Sequence, residues 1–343
     1  MSDESPRVDL QLSLRVEGHP PAERRPVESP PVAEPKPRLW LKRSLLWLLA
    51  FVLAASAMLY QRATGPTYPF KRSFTLEGVE YRYKLLRTHE TTAGAPVEII
   101  LPGKPPKIDA TLHWRRFPTE DAYTAVSMKE TIERSTEKGQ PTRVERSFSV
   151  KLPRQPAAGK VEYYITLDTA DGSLRLPGEE TVVLRYKDPV PDAVLIPHVT
   201  AMILVIIVGM RAALSAIFEP ATTRRLAWIA LTLMTGGGMI LGPFVQKYAF
   251  GEYWTGFPWG GDWTDNKMLV MWLAWVVACV VLGASTRPVT KIGRAATLVA
   301  ALVMTGAYLI PHSFGGSQLD YEAVEEGVDP QEAIRTGRGS GSG

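Results

Sequence analysis

Thiol chemistry is almost absent: the 343-residue chain holds one cysteine, Cys279. A single thiol excludes an intramolecular disulfide, a CxxC redox pair, a cysteine-rich zinc site, a cysteine-ligated iron–sulfur cluster and covalent CxxCH haem attachment. Asparagine occurs once, at Asn266, outside any glycosylation sequon. There is no GxxxxGK[ST] loop, no GxGxxG after a strand and no HExxH, so the common nucleotide-binding and zinc-protease signatures are missing. An excess of one charge is missing too, with 39 Lys and Arg against 35 Asp and Glu and a formal net charge of +4. The basic residues flank apolar runs and form no amphipathic face, so nucleic acid is not an expected partner. What remains is a chain of two unlike halves, charged over 1–190 and mostly apolar over 191–312, with five histidines.

Residues 1–37 contain eight prolines among Glu, Ser and Arg. Such a stretch cannot bury enough apolar surface to offset chain entropy, so 1–43 is expected to be a disordered cytoplasmic tail. Ser44 to Gln61 carries no charge and follows Arg38, Lys42 and Arg43. Its length suits a membrane anchor over 44–61, and the preceding basic residues place the N-terminus in the cytoplasm. A cleaved signal peptide with Ala55-Ser56-Ala57 as its A-x-A site is the rival reading, disfavoured by the long polar stretch ahead of it.

Residues 66–190 alternate apolar and polar positions, which predicts strands near 68–75, 80–90, 96–101, 109–116, 123–129, 144–152, 160–169 and 179–187. Over Val161 to Asp168 the odd positions are apolar and define one buried face. Short strands at this spacing predict an extracytoplasmic β-sandwich. Leu112-His113-Trp114, Leu152-Pro153 and Gly159 through Ile165 also resemble bacterial immunoglobulin-like and fibronectin-like domains, a resemblance that implies a fold and no chemistry. Four further apolar spans follow, near 193–218, 226–246, 268–284 and 295–310, as a four-helix bundle over 191–312. Arg224 and Arg225, then Arg287, Lys291 and Arg294, lie in loops on the anchor's cytoplasmic side. The fold class expected is thus an α-helical, five-span protein of a bacterial inner membrane, with an inserted immunoglobulin-like sandwich and an acidic, Gly- and Ser-rich outer tail over 313–343. Membrane lipid is one expected partner, and a protein met through 66–190 is another. Gly236-Gly237-Gly238 is read as allowing close helix packing, Arg211 as snorkelling, and Cys279 as inert.

This topology brings two short words to one face. Leu195-Ile196-Pro197-His198 opens the second span and Leu309-Ile310-Pro311-His312 closes the fifth, so both histidines lie at the outer side. Between them runs loop 247–267, in which seven of 21 residues are aromatic: Tyr248, Phe250, Tyr253, Trp254, Phe257, Trp259 and Trp263. Two imidazoles facing each other suit haem iron, an aromatic loop suits a flat apolar ligand, and Lys247 or Lys267 suits porphyrin propionates. Asp262, Asp265, Asn266 and Lys267 either fix the loop or meet polar groups of the ligand. A bare transition metal would need a third ligand from Glu252, Asp262 or Asp320. The bland alternative is an ordinary interfacial aromatic belt with helix-capping histidines.

Tyr253-Trp254, then Trp259-Gly260-Gly261-Asp262-Trp263-Thr264-Asp265 and Leu269 through Trp275, make 247–275 resemble the tryptophan-rich WWD loop of haem-handling cytochrome c assembly proteins. The usual proline after the loop aspartate is replaced by Trp263, and the bundle is smaller than that family's. By position, the resemblance implies that His198 and His312 ligate haem iron and that Trp254, Trp259, Asp262 and Trp263 belong to the haem platform. The expected function is therefore a haem b site at the outer face, serving cytochrome assembly or b-type electron transfer, in a protein that is not a classical enzyme. The spans offer no second histidine pair, which argues against a transmembrane electron wire. A non-enzymatic accessory subunit without cofactor is the alternative. A transporter has little support, because charges deep in the spans are scarce, and a metal hydrolase would need a general base for which Glu252 is the loop's only glutamate.

Overall fold

The computed structural model describes residues 36–103, 107–135, 143–285, 287–311 and 316–335. Residues 1–35 of the expected tail, His312 and Gly337–Gly343 lie outside them. Helix α1, Lys36–Thr64, contains the expected anchor and begins before Ser44, so residues 36–43 are helical.

Among the described residues the β-domain has eleven strands: β1 Phe70–Leu76, β2 Val79–Leu85, β3 Thr88–Glu90, β4 Pro96–Pro102, β5 Asp109–Arg116, β6 Thr124–Ser127, β7 Lys129–Ser135, β8 Arg143–Lys151, β9 Lys160–Thr169, β10 Gly172–Leu176 and β11 Val182–Lys187. They form the β1–β2 hairpin, a sheet in the order β3-β11-β9-β5-β6 with β10 folded back on β9, and a sheet in the order β4-β8-β7. Strands β3 and β11 run parallel, and the other pairs are antiparallel. One core serves all three sheets. It takes Val161, Tyr163, Ile165 and Leu167 from β9, Val97, Ile99 and Leu101 from β4, and Phe74, Tyr81 and Tyr83 from the hairpin. The period-2 pattern thus has its expected consequence in burial.

Two strands escape that pattern. Strand β7 has a single aliphatic residue, Ile132, which is exposed, because β7 is the charged edge of its sheet. Strand β10 is the short return arm of a hairpin on β9. The run expected over 80–90 breaks at Leu86-Arg87 into β2 and β3, which join different sheets.

The bundle comprises α2 Asp192–Phe218, α3 Pro220–Met234, a π-helical segment Thr235–Leu241, α4 Gly242–Phe250, α5 Trp263–Leu282 and α6 Lys291–Leu309. Five helical stretches are long and apolar enough to cross a membrane: Leu39–Thr64, Asp192–Phe218, Pro220–Phe250, Trp263–Leu282 and Lys291–Leu309. This is a membrane protein with a β-domain inserted between its first two spans. The segment after α6 folds into β12 Gln318–Leu319, α7 Tyr321–Glu325 and β13 Ile334–Arg335. Tyr321 of α7 donates to the Lys160 carbonyl on β9 at 2.9 Å, so this tail is docked on the β-domain.

Small residues let the helices approach closely. A Cβ at Gly237 would collide with Ala201, one at Gly238 with Met268, and one at Gly209 with Met304. Cys279 is fully buried in the same core.

Arg211 departs from the snorkelling expectation. It is 2% exposed, donates from Nη2 to Glu219 at 2.6 Å and faces the Trp47 ring at 5.5 Å. Glu219 ends α2, where the chain reverses into α3, and also accepts from Arg43 Nε of α1 at 2.6 Å. Leu46 and Ala50 pack on Leu214 beside this pair, so the first span is fastened to the bundle by charge and by contact. Glu219→Ala leaves Arg211 buried and unpaired, and the expected cost is about 3–5 kcal/mol. Thermal unfolding of the full chain in detergent measures it; a loss below about 1 kcal/mol contradicts the assignment.

Candidate functional site

One end of the bundle carries the β-domain, the end of α1, the start of α2, the aromatic loop and the end of α6. The other end carries Arg43, Arg224, Arg225, Lys291 and Arg294. The candidate site lies at the β-domain end.

His198 sits in the second turn of α2, one residue after Pro197. Its Nδ1 lies 2.8 Å from the carbonyl of Gly237, in the π-helical segment. A π-turn displaces the regular ladder, and its carbonyls can turn toward a neighbouring helix. Because a carbonyl only accepts, Nδ1 carries a proton, so in the neutral imidazole Nε2 is the nitrogen with the lone pair. Nε2 has no partner among the described residues. This is the arrangement in which a backbone carbonyl orients an imidazole that ligates through its other nitrogen.

The aromatic loop is shaped by the first turn of α5. Asp265 Oδ2 accepts from the Thr255 N–H at 2.6 Å and from its hydroxyl at 3.0 Å. Asn266 Oδ1 accepts from the Phe257 N–H at 2.7 Å. Asp262 caps the helix by accepting from the Thr264 N–H at 2.7 Å, and its Oδ2 accepts from the Ser317 N–H and hydroxyl at 3.0 and 3.1 Å. Gln246 of α4 donates to the Thr255 hydroxyl at 3.0 Å. Gly256 has to be glycine here, since a Cβ would stand 2.7 Å from the Asp265 Cβ. Of the two roles open to these polar residues, fixing the loop is the one that Asp262, Asp265 and Asn266 perform. Lys267 donates to the carbonyls of Ile310 and Pro311 at 3.0 and 3.1 Å and ties the end of α6 to α5.

Beneath this framework lies a cavity of about 460 Å³, within the range of about 300–1,000 Å³ usual for small-molecule sites. Arg185 and Lys187 of β11 line it at the β-domain side, His198 and Trp254 beside them, and Met202, Ile206, Met268 and Met271 further into the bundle. Of the residues expected from sequence, His198, Trp254 and Asp262 come together there. Trp259 and Trp263 are outside its lining, 81% and 49% exposed. These two rings turn outward, as suits aromatic side chains at a membrane interface, while Phe250 and Trp254 of the same loop face the cavity. His312 lies outside the described residues; the carbonyl of Pro311 before it is held by Lys267, which lines the cavity. Lys247 lies outside the lining, donates to the Gly251 carbonyl and faces the Tyr253 ring.

Among the described residues no group of three or more His, Cys, Asp and Glu side chains could hold a metal. Glu252 is exposed, Asp262 is committed to Thr264 and Ser317, and Asp320 caps α7 and pairs with Arg335. Neither the bare-metal site nor the metal-hydrolase site is assembled from them. His113 is half-buried, stacked on Tyr164 at 4.6 Å. His89 is half-buried with its ring edge-on to Tyr186, because β3 pairs with β11.

Sequence reasoning missed Arg185 and Lys187, which lie in an ordinary alternating strand and acquire their position only when β11 docks over the bundle. Arg185 Nη2 donates to the Ser317 carbonyl at 2.8 Å, and its guanidinium carbon lies 4.2 Å from the Phe250 ring centre. Its Nε is buried without a partner among the described residues. Burial pulls its pKa down to about 10 against the opposing Asp262 charge, leaving Arg185 cationic at neutral pH.

No protein-family profile and no curated protein matches the chain. Among solved structures it is similar to Astrotactin-2, described as a conserved vertebrate-specific and perforin-like membrane protein involved in neuronal development. The identity is 12% and the TM-score 0.20, over 59% of this chain and 35% of that one. The chain therefore spans about a third of that protein, and a TM-score of 0.20 supports neither a shared fold nor a shared function.

Lys160 of β9 donates to Gln318 of the docked tail at 3.1 Å. Burial, aided by the Arg185 charge, pulls its pKa down to about 8. An unfolded lysine titrates near about 10.4, so between these values the unfolded chain binds more protons and stability rises with pH. Thermal midpoints measured from pH 7 to 10 should rise less steeply in Lys160→Met than in the unsubstituted protein. Equal slopes would contradict the burial of a charged Lys160.

Proposed function

We propose that this chain is a multi-pass protein of a bacterial cytoplasmic membrane that binds haem b in the cavity at the β-domain end, either handling haem for cytochrome assembly or passing electrons. The observation that carries this reading is His198. Its Nδ1–H is fixed by the Gly237 carbonyl, its Nε2 has no partner among the described residues, and the residue lines a cavity of small-molecule size. Haem would supply a redox-active iron, and His198 would be one residue that holds it. His312 would be the other, following Pro311, which Lys267 holds beside the cavity. Arg185 and Lys187 would meet the propionates, and Trp254 would border the ring. Trp259 and Trp263, exposed as they stand, would join the platform only on a movement of the loop.

In this proposal the basic end of the bundle faces the cytoplasm, and the β-domain, an immunoglobulin-like sandwich, lies outside. A second reading, an accessory subunit whose β-domain binds a partner, is favoured by an open groove of about 730 Å³ on that domain. It is lined by Lys71, Arg72, Arg82 and Lys84, none ion-paired among the described residues.

Absorption spectra of the detergent-purified chain, oxidised and dithionite-reduced, decide between the two. The haem reading predicts a Soret band that is lost or strongly shifted in His198→Ala and in His312→Ala. A colourless unsubstituted protein, produced with ample haem, would overturn it.

A further inference from the structure

The cavity has a charged end and an apolar end. Leu195, His198, Val199, Met202, Ile203 and Ile206 of α2 line it at spacings of three and four, one stripe along the helix. From Leu195 to Ile206 the stripe descends about 16 Å, roughly half the ~30 Å hydrocarbon thickness of a bilayer. Opposite it, Met268 and Met271 of α5 and Ala307 of α6 supply further apolar wall. The stripe is not sealed: Val199 and Ile203 are 44% and 38% exposed in a helix long and apolar enough to span the membrane. With two wall residues this exposed on an apolar helix, the cavity is not fully enclosed by protein along the stripe.

At the β-domain side the requirement is for negative charge. Lys187 has no side-chain hydrogen bond or ion pair among the described residues, and Arg185 Nε is buried and unpartnered. The buried Nε is out of a ligand's reach, but Arg185 commits only Nη2, to Ser317, so its Nη1 and the Lys187 ammonium are the donors open among the described residues for charge-assisted hydrogen bonds to an oxyanion. The nearby Asp262 offsets part of the Arg185 charge, but among the described residues it makes no ion pair or hydrogen bond with Arg185 or Lys187.

We infer that the cavity takes its ligand laterally from the membrane leaflet, and that the ligand is an amphiphile whose carboxylate or phosphate is held by Arg185 and Lys187 while its apolar body lies along the α2 stripe. This rests on the proposed reading of the cavity as a ligand site, but it requires no iron. The oxyanion comes either from a porphyrin propionate or from a lipid headgroup, and the test separates the two.

The full chain, stripped of bound lipid by detergent exchange, is incubated with dioleoyl phosphatidylglycerol, dioleoyl phosphatidylcholine or haemin and examined by native mass spectrometry and absorption. The inference predicts that one anionic amphiphile, the phosphatidylglycerol or haemin, is retained per chain in preference to phosphatidylcholine. Lys187→Gln, which breaks no bond of the fold, should weaken that retention about tenfold, the worth of one charge-assisted hydrogen bond. Ile203→Trp should abolish it by filling the opening. A chain that retains phosphatidylglycerol in this way but binds no haemin sinks the haem proposal and keeps the inference. Haemin binding unchanged by both substitutions keeps the haem proposal and overturns the inference. Equal retention of the two phospholipids, or no retention of any of the three, overturns the inference as well.

Discussion

The Asp262 carboxylate holds together three parts of the chain that meet nowhere else in sequence. One oxygen caps α5, and the other takes both donors of Ser317 from the segment after α6. Its charge opposes that of Arg185, which itself donates to the Ser317 carbonyl and so joins the β-domain to the same knot. Each partner depends on the others. Without Asp262 the first turn of α5 loses its cap, Ser317 loses its acceptor and Arg185 loses its counter-charge.

The opposite end of the bundle follows the same logic. There two cations, Arg43 and Arg211, share one acid, Glu219. Removing charges from water is expensive, and a membrane makes it more so; pairing them at the helix ends leaves the middle of the bundle to Ala, Gly, Met and the buried Trp275. Polar fixings at both ends and small residues between them hold the five helices without a large apolar driving force, which lipid would not supply.

Much of the fold was legible because it is periodic. The spans follow from apolar runs bounded by basic residues, and β9 and β4 follow from alternation that burial matches except at Glu162, which is buried in its ion pair with Arg115. Strands β7 and β10 were not legible, since an edge strand of charged residues and the return arm of a hairpin bury too little to leave a pattern. The site was legible in part. His198, Trp254 and Asp262 were found through local words in the sequence, and they meet at the cavity. Arg185 and Lys187 carry no local mark, because their role arises from the docking of a strand on a bundle. The outward turn of Trp259 and Trp263 was hidden for a related reason: whether a ring covers a ligand or faces the interface is decided by which backbone groups Asp265 and Asn266 hold. Arg211 looked like a snorkelling residue because its acid lies beyond the helix end, at the turn into α3.

The central claim is that the space below β11, between α2 and α5, is a site occupied by one ligand from the membrane. An experimental density map of the full chain in a lipid nanodisc, prepared without stripping its native lipids, tests it most directly. The account predicts a single non-protein feature running along the α2 stripe, with its polar end within hydrogen-bonding distance of Arg185 and Lys187. A cavity closed by its own side chains, or one holding only water, would contradict it.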